Sequence, residues 1–332
     1  MLDVLNDRAR TDEGLAAWLR DLEGASAPSA GAALPDADDL PEVLLDLSVP
    51  HEEVNGLVAL RGRLLAEPDG QWLLDRCVAA LVRDIGRPGA GPGIPMLPEE
   101  SGELGRSFFL FVYVAALPYV RAYHRARGIP DDVSRRTLAD LGRHLAVHRR
   151  ARGGRGLKAP GWLSLHFRGE IYQLGRLQFQ RAVLGARMGG ATAGAGHSAG
   201  PGDPCLNVHI ADFRGPLTPE ACDRSLALAR DFFARHFPEE RYETAVCHSW
   251  LLDPQLKRYL PAESNIVRFQ ERFRSAQGYE EEPDDGGPIA FIFGDRDLPV
   301  AELPRRTSVE RAVGDHLRAG GHWYGGHGWF PL

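Results

Sequence analysis

Residues 206–220 read LNVHIADFRGPLTPE, and residues 221–237 continue as ACDRSLALARDFFARHF. An apolar, β-branched stretch stops at DFRGP, a turn containing Gly215 and Pro216, and an amphipathic helix follows at once. That order predicts a strand–turn–helix unit. Thr218 suits the N-cap and Pro219 the first helical position, so the helix is expected to start at 218–219. A helix start offers N–H groups outside the helical ladder and the positive end of the macrodipole, which suits a phosphate, an oxyanion or a carboxylate. Arg214 adds a local cation, whereas Glu220 opposes an anion and a single glycine limits close backbone approach. From these residues alone, anion binding and plain helix capping both stand.

The composition is that of an ordinary globular protein. The chain has 332 residues, 43% hydrophobic and 25% charged, enough for two domains or one large one. A formal charge of −6 gives no general attraction to nucleic acid or to an anionic membrane, so neither is expected as a partner. The locally basic run RHLAVHRRARGGRGLK (143–158) reads as a solvated linker. Four cysteines, at 77, 205, 222 and 247, form neither a CxxC pair nor a disulfide framework, which points to reduced thiols and a cytoplasmic location. The start MLDVLNDRARTDEG has no signal-peptide pattern. The apolar run FFLFVYVAALPYV (108–120) is shorter than the ~20 residues of a bilayer span and reads as a buried helix.

Organisation changes near residue 150. Helical periodicity fills 11–24, 51–66, 69–85, 103–127 and 131–150, separated by Gly- and Pro-rich loops at 24–39 and 86–102. The second loop lacks the Lys-Ser/Thr ending of a phosphate-binding P-loop. Beyond the basic run, 161–181 reads as two strands or a bent pair with Gly169 and Gly175 as bend points, and 185–204 as a flexible low-complexity insertion. The expected order is then strand 205–211, helix 218–236, strand 243–251, short helical pieces at 254–259 and 264–274, strand 288–294, helix 307–319 and a terminal aromatic strand, HWYGGHGWF. Thr307 with Glu310 forms a capping box, and Gly320 ends that helix. The fold class expected is therefore α+β, an all-helical N-terminal domain (1–150) followed by a mixed-sheet α/β C-terminal domain (155–332).

The strings LHFRGEIYQLGRLQF (165–179), VHI with GPL (208–217), SWLLDPQL (249–256), SNIVRFQ (264–270) and HLRAGGHW (316–323) resemble a bacterial family of two-domain acyltransferases, in which a helical domain precedes a GNAT-like domain. The resemblance implies acyl-coenzyme A, acetyl-coenzyme A included, as co-substrate. It places the pyrophosphate turn at Phe213, Arg214 and Gly215, with Leu217, Thr218 and Asn265 beside the cofactor. Strand 243–251 would be the neighbour that splays away to admit pantetheine. The chain departs from the GNAT pattern in lacking the Gln/Arg-x-x-Gly-x-Gly/Ala signature, in having Pro216 within the turn, and in showing Arg272 where a tyrosine acid is common.

Acylating an amine requires a base, because an ammonium cannot attack a thioester. His209 on the central strand and Cys247, His248 and Ser249 on its neighbour are the candidates, with Cys247 also a possible acyl-accepting nucleophile. Strand alternation puts Cys247 and Ser249 on one face and His248 on the other. Glu170 and Arg176 read either as an ion pair or as substrate recognition. His144 and His148 stand at i, i+4 on a helix, but their arginine-rich surroundings oppose a metal. The expected activity is acyl transfer from acyl-coenzyme A to an amine on a small molecule or peptide. A second reading, a non-catalytic binding or regulatory protein on the same scaffold, rests on the missing glycine signature.

Overall fold

The structure is a computed structural model, and it describes residues 1–25, 31–91, 93–157, 159–276 and 282–332. Parts of the loops expected at 24–39 and 86–102, and Lys158 of the basic run, lie outside the described residues. The chain divides into two compact units, Met1–Tyr172 and Gln173–Leu332.

The first unit is helical: α1 (Leu2–Ala9), α2 (Glu13–Gly24), α3 (Leu40–Asp46), α4 (His51–Ala66), α5 (Gly70–Val82), α6 (Gly102–Ala126), α7 (Asp131–Leu138), α8 (Asp140–Arg152) and α9 (Pro160–Phe167). Helix α6 is the axis of its core. It is long and apolar enough to cross a bilayer, yet 78% of its most apolar window is buried in the protein, with Phe108, Leu110, Phe111 and Tyr113 fully enclosed.

The basic run is not a solvated linker. Helix α8 extends to Arg152, and Arg149 and Arg155 converge on the buried Glu53 of α4, each donating to its carboxylate at 2.6 Å. Arg155 also reaches Glu103 at 2.6 Å. The guanidinium lies so close over Gly56 that a Cβ there would come within 2.1 Å of it. On α8, His144 lies 3.3 Å from Asp140, and His148 is 3.0 Å from the carbonyl of Gly154.

Burial in this unit makes it acid-sensitive. His124 is enclosed, with Nδ1 2.8 Å from the Ser134 hydroxyl and Nε2 without a hydrogen-bond partner among the described residues. Burial pushes it down to about 4. The unfolded chain takes up this proton near the ordinary value of 6.5, so the stabilisation is intact above 6.5 and is lost as the pH falls from there to about 4. The loss is about 3 kcal/mol for this residue. His166, equally enclosed and also pushed down to about 4 by burial, adds an effect of the same sign. Thermal melts at pH 7.5 and 5 should therefore differ, and His124→Asn should narrow the difference.

The second unit contains β1 (Ile171–Leu174, which straddles the division), β2 (Leu177–Val183), α10 (Ala186–Gly194), β3 (Pro204–His209), α11 (Pro219–His236), β4 (Thr244–Ser249), α12 (Asn265–Gln270), β5 (Arg274–Ser275), α13 (Gly286–Phe293), α14 (Ser308–Arg318) and β6 (Gly326–Pro331). The described strands form a mixed six-stranded sheet in the order β1-β2-β3-β4-β6-β5. Strands β3 and β4 are parallel and joined through α11, whereas β2 with β3, β4 with β6 and β5 with β6 run antiparallel. The α+β class holds.

Three segments differ from the sequence reading. The first half of 161–181 is helix α9, started by Pro160 and burying Leu163 and Phe167 at i, i+4; only 171–183 is a hairpin. The insertion 185–204 contains helix α10, whose Thr192 hydroxyl donates to the carbonyls of Gly189 and Ala199. Its small residues allow close packing, since a Cβ on Gly189 would sit 2.3 Å from Pro201 N. The strand expected at 288–294 is helix α13, ended by Gly294 at φ +94°. Helix α14 carries the expected Thr307–Glu310 capping box, and the terminal aromatic stretch forms β6 with Trp329 buried.

Candidate active site

The ladder between the two central strands is short. It pairs Leu206 with Ala245 and Asn207 with Val246, although β3 runs on to His209 and β4 to Ser249. Beyond these pairs the strands part, and a cavity of about 400 Å³ opens at their C-terminal ends. Ile210, Ala211, Asp212 and Phe213 line it from the β3 side, and Trp250 and Leu251 from the β4 side. Its size falls in the ~300–1,000 Å³ range of small-molecule sites. Open parallel connections place ligands at this end of the strands.

The lining is mostly apolar. Leu217, Leu260, Ile266, Phe291, Ile292 and Val309 complete the walls, with the Trp250 and Phe291 rings edge to face at 5.9 Å. Arg176, Asp212, Ser264, Asn265 and Ser308 supply the polar groups. The arrangement suits an apolar chain with polar attachments at one end.

Of the residues the sequence assigned to the cofactor, Phe213, Leu217 and Asn265 line this cavity, while Arg214, Gly215 and Thr218 stand in the adjoining loop and cap. Phe213 and Gly215 are left-handed, at φ +56° and +79°. A Cβ added at Gly215 would meet nothing within 4 Å, so this glycine serves backbone conformation and leaves room for a ligand. The Thr218 hydroxyl accepts the Ala221 N–H at 3.2 Å as an N-cap. The Glu220 backbone N–H, then the Thr218 hydroxyl, hold the Glu220 carboxyl below its ordinary range.

The four candidates for the chemistry separate clearly. Cys247 is fully buried and its thiol is pushed up to about 12 by burial, the reverse of what a nucleophile needs. It is a core side chain. The Ser249 hydroxyl caps the turn at 250–252 by accepting the Leu251 N–H at 3.1 Å. His248 stands directly across from His327 on β6, their Nδ1 atoms in contact, and burial followed by the charge of His327 pushes His248 down to about 4. An imidazole with so little proton affinity is a poor base for an amine. His209 remains. Its Nε2 lies 2.9 Å from Gln180 Oε1 on β2, which favours the tautomer with the proton on Nε2 and the lone pair on Nδ1.

Of the two residues read as an ion pair or as substrate recognition, Glu170 forms an ion pair and Arg176 lines the cavity. Glu170 is buried against Arg168 in the helical unit, their contact 2.8 Å. Arg176 donates to the carbonyls of Gly215 and Ala211 at 2.8 and 3.0 Å. At the tyrosine position Arg272 is tied to the N-terminal end of α11, through Asp223 at 2.6 Å and the Pro219 carbonyl at 3.0 Å. The wall residues Trp250, Phe291, Ile292 and Val309 were not anticipated.

Residues 38–169 match the N-acyltransferase N-terminal domain family and residues 171–330 the GNAT-like C-terminal domain family. A mutant acyltransferase solved with octanoyl-CoA is 36% identical to the chain over 99% of both chains, with a TM-score of 0.88. The chain belongs to this family of two-domain acyltransferases. Another acyltransferase structure, in complex with decanoyl-CoA and teicoplanin, is 37% identical with a TM-score of 0.86, again over 99% of both chains. A further one, with CoA and 10C-teicoplanin, is 36% identical with a TM-score of 0.86 at the same coverage. No curated protein matches the chain. In this acyltransferase the strands part without the usual glycine signature in the turn between β3 and α11.

Proposed function

We propose that the chain transfers a medium-length acyl group from acyl-coenzyme A to an amine borne by a glycopeptide-like acceptor. One observation carries the reading: an apolar cavity opens where β3 and β4 part, beside a turn and helix start suited to phosphate. The acyl chain occupies the apolar part, against Phe291, Ile292 and Val309, and the pyrophosphate lies at the turn around Phe213–Gly215. The co-crystallised octanoyl and decanoyl thioesters of the relatives support the donor, and teicoplanin supports the acceptor class. His209 takes the proton from the acceptor ammonium and passes it to solvent, the amine attacks the thioester carbonyl, and the tetrahedral intermediate collapses with a second proton moving from the amine nitrogen to the departing sulfur, giving the amide and coenzyme A thiol. Direct attack needs no acyl-enzyme, in keeping with the buried thiol of Cys247. The reading includes a cytoplasmic location, supported by four free cysteines and by the intracellular supply of acyl-coenzyme A.

Release of coenzyme A thiol, measured with acetyl- to dodecanoyl-CoA and a glycopeptide carrying a free amino group, tests the proposal. Turnover is expected to rise with chain length toward eight to ten carbons. Phe291→Ala enlarges the cavity and should move the optimum to longer donors, gaining ~0.8 kcal/mol, or about fourfold in kcat/KM, per additional buried methylene. Turnover greatest with acetyl-CoA, unmoved by Phe291→Ala, would overturn the chain-length assignment.

A further inference from the structure

We propose that Arg176 is a positioning residue of the cofactor turn, holding the loop between β3 and α11 in its binding shape; this rests on the cofactor site proposed above. Gly175 and Arg176 form the tip of the β1–β2 hairpin. Gly175 is left-handed at φ +70°, and a Cβ on it would lie 2.7 Å from Ser225 Oγ, so the tip approaches α11 as closely as a glycine permits. The tip is fastened there. Ser225 Oγ accepts the N–H groups of Arg176 at 2.8 Å and Leu177 at 3.3 Å, and donates to the Ala221 carbonyl at 2.9 Å.

From that anchored backbone the guanidinium reaches into the loop. Its Nε–H donates to the Gly215 carbonyl at 2.8 Å and its Nη1 group to the Ala211 carbonyl at 3.0 Å. From Ala211 to Gly215 the backbone passes through two left-handed residues, Phe213 and Gly215 itself, and Pro216 follows without an N–H to contribute. A left-handed conformation is unfavourable for a phenylalanine, so the loop shape must be imposed from outside. A planar, two-pronged donor gathering two carbonyls four residues apart does this. Arg176 also lines the cavity, so the side chain that shapes the turn borders the space the acyl donor occupies. Lysine would keep the charge and lose the fork, which separates holding the loop from attracting the ligand.

The test uses the full chain and octanoyl-CoA, followed by calorimetric titration and by steady-state kinetics. Arg176→Lys is expected to weaken octanoyl-CoA binding at least tenfold and to raise its KM by a similar factor, with kcat and the acceptor KM within twofold of wild type. Ser225→Ala, which loosens the hairpin tip and leaves the guanidinium in place, should shift the same constants in the same direction by a few-fold. Arg176→Lys binding octanoyl-CoA as tightly as wild type would overturn the proposal, as would a fall in kcat with KM unmoved. If wild type itself fails to bind octanoyl-CoA, the cofactor site and the role of Arg176 fall together. If wild type binds and both variants match it, only the role of Arg176 falls.

Discussion

Replacing His209 with glutamine is expected to lower turnover ~10²–10⁴-fold while octanoyl-CoA still binds. At neutral pH an aliphatic amine is almost wholly ammonium, and the enzyme must remove a proton before attack. The other candidates fail on physical grounds: Cys247 is a buried thiol pushed up to about 12, Ser249 is committed to a cap, and His248 is pushed down to about 4. His209 stands at the end of β3, next to the parting of the strands, with Gln180 opposing its Nε2. Glutamine approximates its size and polarity, so the fold should persist. In kcat measured from pH 5 to 9, wild type should show an acidic limb that His209→Gln lacks. Turnover within a few-fold of wild type would remove His209 from the mechanism.

Truncating Glu170 to alanine is expected to destabilise the helical unit by about 3–5 kcal/mol. Arg168 is fully buried and donates to Glu170 at 2.8 Å, to the Leu81 carbonyl at 2.8 Å and to the Asp84 carbonyl at 3.1 Å. The second Glu170 oxygen accepts the Gly89 N–H at 3.0 Å. Loss of the carboxylate strands an enclosed guanidinium without its counter-ion and leaves the Gly89 N–H without its acceptor. The unfolding midpoint of the helical unit should fall by of order 10 °C. Glu170→Gln, which preserves the shape and one acceptor, should cost less. A shift below about 2 °C for Glu170→Ala would show that the buried pair contributes little.

Helix ends were the most legible features, because caps are local chemistry: Thr218 with Pro219 marks the start of α11, and Thr307 with Glu310 the start of α14. Short apolar segments were not. Helix α9 is rich in aromatic residues and α13 is the brief run GGPIAFIF, and in eight residues the helical and strand periods are hard to tell apart. Helix α10 was missed because its Gly and Ala residues resemble a linker, whereas in the fold their small size is what lets it pack.

The site divides in the same way. Phe213, Leu217 and Asn265 could be placed because their strings resemble a family. Phe291, Ile292 and Val309 come from elements far along the chain, so only the tertiary fold brings them to the strand ends. Arg176 was singled out from the sequence, but its contacts could not be read there because its acceptors are main-chain carbonyls. Alternation assigned faces to Cys247 and Ser249 but could not reveal enclosure of one or capping by the other.

The central claim, that the gap between β3 and β4 receives an acyl-coenzyme A by its acyl chain as well as its phosphates, is tested most directly by calorimetric titration of the full chain with octanoyl-CoA and with coenzyme A. The apolar lining predicts one-to-one binding of both, with octanoyl-CoA at least tenfold tighter. Equal affinity for the two, or no binding of octanoyl-CoA at millimolar concentration, would contradict it.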